Sequence, residues 1–426
     1  MNLTTNPEKR YSIGRRDIVA GAVGLLAAGR AGASHAAVAS ATPALRRGVS
    51  VDSLLNRPEV AQQNPFEYKW PPFSTPQYQL PEGTFSALRR VGFDFVRLTV
   101  DPAIFMANPG ARRQQLIALL LDRVRRFIDH GLAVVVDLHP IRVNPAYPVE
   151  GYTSPISPFI SSFMEVTATI ARALGTLPPA MVALELLNEP IPQGAPRPEL
   201  WQARLEQLHG AARSQAKYLT LVLSGFWGAF GELPHIDPSA FNGSNVIYTF
   251  HYYEPLVFTH QGASWVDTLA YVNGLTWPPD PSNVRDVEAR AVMAAARKAG
   301  GAAPTRIVDS LHQQLSTYAA VRDGPGQVAN HFARVRTWAD RNGVPPQRVL
   351  LGEFSARRDL AETPEVKRSR MAWLATVRRT AEANGFPWAY WGLSGDATGG
   401  FGLVAPGSMT TFDPEMLAAL GLSASG

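Results

Sequence analysis

Two glutamates stand where a carboxylate can do chemistry. Glu189 lies in Leu186-Leu187-Asn188-Glu189-Pro190 and Glu353 in Leu350-Leu351-Gly352-Glu353-Phe354. Each closes a short apolar run of the kind that forms a buried strand. Two facing carboxyls can cleave a glycosidic bond: one protonates the leaving oxygen while the other attacks the anomeric carbon. A separation of about 5–5.5 Å leads to retention of configuration. Repulsion across such a pair raises one pKa, so one group serves as acid while its partner stays ionised. Either glutamate alone would ordinarily be a surface carboxylate; two at matching strand tips argue otherwise. Asn188 adds an amide that can donate to a sugar 2-hydroxyl.

Something must bring the two together, and the chain supplies a repeating pattern. Apolar runs rich in β-branched residues alternate with amphipathic stretches at helical spacing, as in a parallel α/β fold. Strands are expected near Arg47–Val51, Phe93–Thr99, Ala133–Leu138, Val182–Leu187, Leu219–Ser224, Val246–His251, Val349–Gly352 and Trp388–Gly392. Eight strands close a barrel, so the expected fold is a single α/β domain, a (β/α)8 TIM barrel over residues 40–426. Helices are expected over Gln114–His130, Phe159–Leu174, Leu200–Gln215, Ala329–Asn342 and Pro364–Asn384, with a short one near Pro414–Leu420. In a closed barrel the fourth and seventh strands lie across the axis from one another. Their tips carry the two glutamates.

Two connections are unusually long, after the first and the sixth strands. The first, Asn56–Gly83, carries Phe66, Tyr68, Trp70, Phe73 and Tyr78; the second, Glu254–His331, carries Trp265, Tyr271 and Trp277. Both are read as long loops on the C-terminal face, where barrels build their sites. Their aromatics either stack on sugars or form small cores beneath the loops.

Composition narrows the class. Apolar residues make up 46% and charged residues 18% of 426 positions, enough for a large core and unlike a disordered chain. There is no cysteine, which excludes thiol nucleophiles and cysteine metal sites. The histidines are too dispersed to argue for a metal. Residues 1–39 have the layout of a signal peptide: basic Lys9, Arg10, Arg15 and Arg16, an apolar run from Ile18 to Gly29, then small residues to Ser-His-Ala at 34–36 or Ala-Val-Ala at 37–39. Arg15-Arg16 resembles a twin-arginine signal, although Ile18-Val19 replaces the usual Phe-Leu. The apolar run is too short for a permanent membrane anchor. The expected location is therefore outside the cytoplasm, periplasmic or secreted. Five basic and two acidic residues fall within positions 1–36, leaving a net charge near +2 on the rest and no nucleic-acid partner to expect.

With these residues in view, the chain resembles glycoside hydrolase family 5, cellulase-like retaining (β/α)8 glycosidases, over about Arg46 to Leu422. Arg97 in Phe95-Val96-Arg97-Leu98 matches the arginine supporting the nucleophile, and His139 the histidine after the third strand. Asn188 and Glu189 match the Asn-Glu-Pro signature of the acid/base. His251 and Tyr253 match the sixth strand's His-x-Tyr, Glu353 the nucleophile, and Trp391 the tryptophan under the cleaved sugar. Each suits its place: Arg97 can keep Glu353 ionised, and His251 and Tyr253, two apart, share a strand face. Tyr253 can donate to the nucleophile, while His251 can orient the acid/base. His139 can reach a sugar hydroxyl, and Trp391 offers a flat face to the ring. Glu185, inside the fourth strand, reads as a buried structural carboxylate in need of a partner; Asp94 and Asp137 read as structural, and Asp101-Pro102 as a helix start. His260, Gln261 and Trp265 are candidates for the cleft wall. The resemblance implies retaining hydrolysis of a β-glucan or related β-glycan, with neither cofactor nor metal. A catalytically idle carbohydrate-binding protein and a glucan-remodelling transglycosylase are the other readings of the same fold.

Overall fold

The computed structural model describes residues 42–423, apart from 155, 244, 267, 359–361, 395–399 and 406–407. The expected signal segment lies outside the described residues. Eight strands close a parallel barrel: β1 Arg47–Leu55, β2 Phe95–Val100, β3 Ala133–Leu138, β4 Val182–Glu185, β5 Thr220–Ala229, β6 Val246–Tyr252, β7 Val349–Phe354 and β8 Trp388–Tyr390. Their closed order is β1-β8-β7-β6-β5-β4-β3-β2, so β4 faces β8 and β3 faces β7. This is the expected (β/α)8 barrel. β4 stands one strand nearer β7 than a diametric placement requires, yet their tips still converge at the mouth.

The helices α1 Glu82–Val91, α2 Ala111–Asp129, α3 Ile160–Leu174 and α4 Pro198–Gln215 follow the first four strands. Each turns an apolar stripe inward, as Leu116, Leu120, Val124 and Phe127 do on α2. Asp101 accepts from the Ala103 N–H and caps a short helix, Pro102–Ala107, at the position where a helix start was expected.

The expected boundaries hold to within a few residues, with two informative differences. β4 stops at Glu185, and the backbone then leaves the ladder: Leu186 N–H turns to Val222 O, and Asn188 N–H turns to Leu138 O. β5 instead runs on to Ala229, its pairing with β6 shifting between Ser224 and Ala229.

The second insertion is not the loop that was expected. It folds into α5 Pro281–Ala299 and α6 Thr305–Ala319 and then leads into α7 Gly324–Arg341. Asp280 caps α5, Pro281 opens it, and Gly300 closes it in the left-handed conformation. Val284, Val287, Ala291, Leu311, Leu315 and Tyr318 are buried in the main core, as is Trp277. The first insertion holds a small antiparallel hairpin, Val60–Ala61 against Asn64–Tyr68. There Tyr68, Phe73 and Tyr78 are buried, and Trp70 lies beneath the Arg112 guanidinium. Most of the insertions' aromatics are therefore core; Phe66 and Trp265 stay exposed.

Candidate active site

The interior of the barrel is built in layers two residues apart, because alternate residues of a strand share a face. The lower layer is apolar: Phe95, Val135, Ala183, Val222, Ile247, Leu350 and Ala389. Gly48 leaves room for it, since a Cβ there would sit 2.3 Å from the Phe95 ring. Two residues further along β2, β3 and β4, the same face carries Arg97, Asp137 and Glu185, all fully buried. The site stands on this charged layer.

Arg97 spends its fork on four partners. Nε and Nη2 donate to Glu185 at 2.8 and 2.9 Å, Nη2 also donates to Asn188 Oδ1 at 2.7 Å and meets Asp137 at 3.0 Å, and Nη1 donates to Glu353 Oε1 at 2.6 Å. This is the partner that Glu185 required. One guanidinium cannot neutralise three buried carboxyls. Burial accordingly pushes Asp137 up to about 7 and raises Glu185, with Arg97 pulling each back.

Asn188 offers its oxygen to Arg97, so its Nδ2 faces His139 Nε2 at 3.3 Å. That makes Nε2 the acceptor and leaves Nδ1–H to donate to Asp137 at 2.8 Å. Burial lowers His139 to about 4, so the ring is neutral near pH 7. Its plane stacks on Trp391, with centroids 5.5 Å apart.

Glu353 receives Arg97 on one oxygen and the Tyr253 hydroxyl, at 2.8 Å, on the other. His251 Nδ1 lies 2.8 Å from Glu189 Oε1 and 3.6 Å from Glu353 Oε2. Gly352 makes the room: a Cβ there would meet Thr249 Oγ1 at 2.4 Å and His251 Nε2 at 3.1 Å. Glu189 sits in a recess that strips its hydration although one edge meets the cleft, and burial raises its pKa. Its φ of +37° is rare for a side-chain-bearing residue and marks local strain. All eight residues singled out in the sequence thus meet in one connected cluster.

Ligand atoms of Glu189, His251 and Glu353 lie within 4.8 Å of one another, the geometry a cation could use. Both Glu353 oxygens are already engaged by Arg97 and Tyr253, and the guanidinium would repel a cation.

Three neighbours had no motif to announce them. Trp227, 42% exposed, stands at the end of β5 and donates its backbone N–H to Pro190 O. Gly228 follows at φ +62°, and a Cβ there would lie 2.8 Å from His251 Nδ1. Asp52, at the mouth end of β1, is buried near Glu353. Of the candidates for the cleft wall, His260 and Trp265 form a ring cluster with Phe401, and His260 also packs on Tyr253. Gln261 instead holds the insertion's backbone, accepting from Gly274 and Leu275 N–H.

A (β/α)8 barrel with paired glutamates at its C-terminal mouth has the architecture of an enzyme that works on glycosidic bonds. Within that class the chain belongs to the cellulase family, glycosyl hydrolase family 5, whose profile matches residues 60–397. Endoglucanase 3 of Fibrobacter succinogenes is 26% identical over 332 residues, which is 75% of this chain and 47% of that protein. The chain spans about half the length of the curated relatives it matches. Among solved structures, the cellulose synthase subunit Z of Clostridioides difficile superposes with a TM-score of 0.62 at 22% identity, covering 88% of this chain and 99% of that one. Thermotoga maritima Cel5A in complex with cellobiose gives 0.62 at 22% identity, covering 88% of this chain and 97% of that one. At that identity the likeness concerns the fold.

Proposed function

We propose that the chain hydrolyses a β-linked glucan with net retention, Glu353 acting as nucleophile and Glu189 as acid/base. One observation carries this reading: the carboxylate oxygens of the two glutamates lie within 4.8 Å of each other, bridged by His251. Retaining enzymes hold their carboxyls about 5–5.5 Å apart, whereas inverting ones leave about 6.5–9.5 Å for a water. Glu353, gripped on both oxygens, attacks the anomeric carbon as the glycosidic bond breaks. Glu189, its pKa raised by burial, gives its proton to the leaving oxygen. The carboxylate so formed then takes a proton from water, which attacks the same carbon and releases Glu353. Trp227, beside Glu189, flanks the leaving group.

Relatives named for cellulose-type activity, endoglucanase and cellodextrinase, support β-1,4-glucan as the substrate. Residues 1–39 support export of the enzyme, by a twin-arginine route, to the periplasm or beyond.

Azide separates the two roles. Glu189→Ala should form the glycosyl-enzyme from dinitrophenyl β-cellobioside, stall for want of a base, and recover with azide as the β-glycosyl azide. Glu353→Ala should lose nearly all turnover, and any azide rescue should yield the α-glycosyl azide, the product of a single inversion. Exchange of the two anomers between the variants would reverse the roles. Full activity in either would remove that residue from the site, and a wild type inert on every β-glucan would sink the reading.

A further inference from the structure

Asp52 is a third carboxylate at the barrel mouth, one that the proposed hydrolysis does not use. Ser50 is in register with Arg97, and Asp52, two residues on, continues the same inward face toward the mouth. It is 1% exposed, and both carboxylate oxygens are buried without a hydrogen-bond partner. The Arg57 guanidinium approaches only to 4.0 Å. Burial lifts the carboxyl to about 6, Arg57 opposing that shift and Glu353 adding to it. Buried polar groups in folded proteins are almost always satisfied, so an orphaned pair of acceptors marks a place for donors from outside.

Asp52 is one of the residues lining a cavity of about 410 Å³, within the range of small-ligand sites. Asn56, Arg57, Gln77, Gln79 and Met409 line it as well. Its wall is braced: Arg57 N–H donates to Asn56 Oδ1 at 2.8 Å, and Tyr78 Oη donates to Arg57 O at 2.7 Å. Arg57 disfavours a cationic occupant and Asp52 an anionic one. The amides and the carboxylate suit a neutral polyol, whose adjacent hydroxyls can donate to the two oxygens together. The closed order places β1 and β8 across the barrel from β4 and β5. Since Glu189 and Trp227 take the leaving-group side, the β1–β8 side belongs to the sugars that stay with the nucleophile.

We propose that Asp52 is a specificity-determining residue: its carboxylate clamps two adjacent hydroxyls of the sugar preceding the cleaved one on the non-reducing side. The proposal rests on the roles given above to Glu189 and Glu353. It is tested by binding, so that it can fail separately from them. Thio-linked cellotriose, which is not hydrolysed, is titrated calorimetrically into the wild type and Asp52→Asn, together with analogues lacking single hydroxyls on the sugar in question. The amide keeps the volume and removes the charge, so binding should weaken at least about tenfold. Two of the deoxy analogues should bind the wild type at least about fivefold more weakly than the parent, and that penalty should largely vanish in Asp52→Asn, because the variant has already lost the partner. A merely structural role would weaken all ligands equally and leave the deoxy ratios unchanged. The clamp is overturned by equal ratios in both proteins, by a wild type indifferent to every deoxygenation, or by no binding at all. Failure of the wild type to cleave dinitrophenyl β-cellobioside while these ratios hold would instead overturn the hydrolytic reading and leave Asp52 a binding residue.

Discussion

Arg97 Nη1 and Glu353 Oε1 lie 2.6 Å apart although 256 positions separate them in the chain. The same guanidinium also holds Glu185, Asp137 and Asn188, so the placement of the proposed nucleophile and core stability share one side chain. Lysine keeps the charge but cannot span these partners from a single nitrogen. Arg97→Lys should therefore lower the unfolding free energy by about 3–5 kcal/mol, the usual cost of breaking a buried charge network. It should lower kcat as well. Guanidinium titration followed by tryptophan fluorescence measures the first, and an unchanged midpoint would show that the network is not needed for stability.

Gly228 presses on both members of the His251–Glu189 pair. An added Cβ would lie 2.8 Å from His251 Nδ1 and 3.2 Å from Glu189 Cγ, at a φ that disfavours side chains. Gly228→Ala should displace the pair by a few tenths of an ångström or more and cost on the order of 10²-fold in kcat. Steady-state rates on cellotetraose, with circular dichroism to verify the fold, give the answer. A folded variant with wild-type kcat would mean that the pair tolerates displacement.

With Glu189 in the proposed role of acid, its proton sets a sign for the pH dependence. Burial raises this carboxyl above its ordinary value, with His139 and Arg97 opposing. An acid is useful only while protonated, so activity that depends on it is present below the raised pKa and is lost as pH rises through it. The kcat/KM profile on cellotetraose should show this alkaline limb. Dinitrophenyl β-cellobioside, whose leaving group needs no proton, should show it weakly or not at all. Identical limbs for both substrates would place the controlling group elsewhere. His251, lowered to about 4 by burial, stays neutral throughout that range.

The export proposal has its own test. Arg15→Lys together with Arg16→Lys should leave the precursor inside the cell, because the paired guanidinium groups are the recognised feature. Fractionation and blotting report the distribution. Mature protein exported at the wild-type level would exclude the twin-arginine route and leave a general secretory signal in its place.

Much of the site was legible because strand tips are local. Asn188-Glu189-Pro190 and Gly352-Glu353 each follow a recognisable apolar run, and His251 and Tyr253 share a face by simple alternation. Glu185 could be read as buried and in want of a partner for the same reason. The second insertion departs from the loop its sequence suggests because Pro278, Pro279, Pro281 and Pro304 look like loop residues, yet Pro281 follows the Asp280 cap and opens a helix. Trp277 was then expected on a loop and is instead core, packed where a Cβ on Gly324 would touch it.

Alternation and apolar runs determined the barrel and the strand tips that carry Glu189 and Glu353, because these depend on periods of two and about 3.6 residues; Arg97, His139, Asn188, His251, Tyr253 and Trp391 were picked out by the resemblance to glycoside hydrolase family 5. The tertiary structure alone decided what touches what. That one guanidinium joins Glu185, Asp137, Asn188 and Glu353 depends on barrel closure and on a register that sets Arg97 beside Ser50 and Val135. That Trp227 and Gly228 flank Glu189, and that Asp52 borders a cavity with its acceptors unfilled, depends on strand ends that leave the ladder and on loops closing from distant parts of the chain. Such contacts carry no period, because they arise where the regular hydrogen bonding that imposes one has stopped.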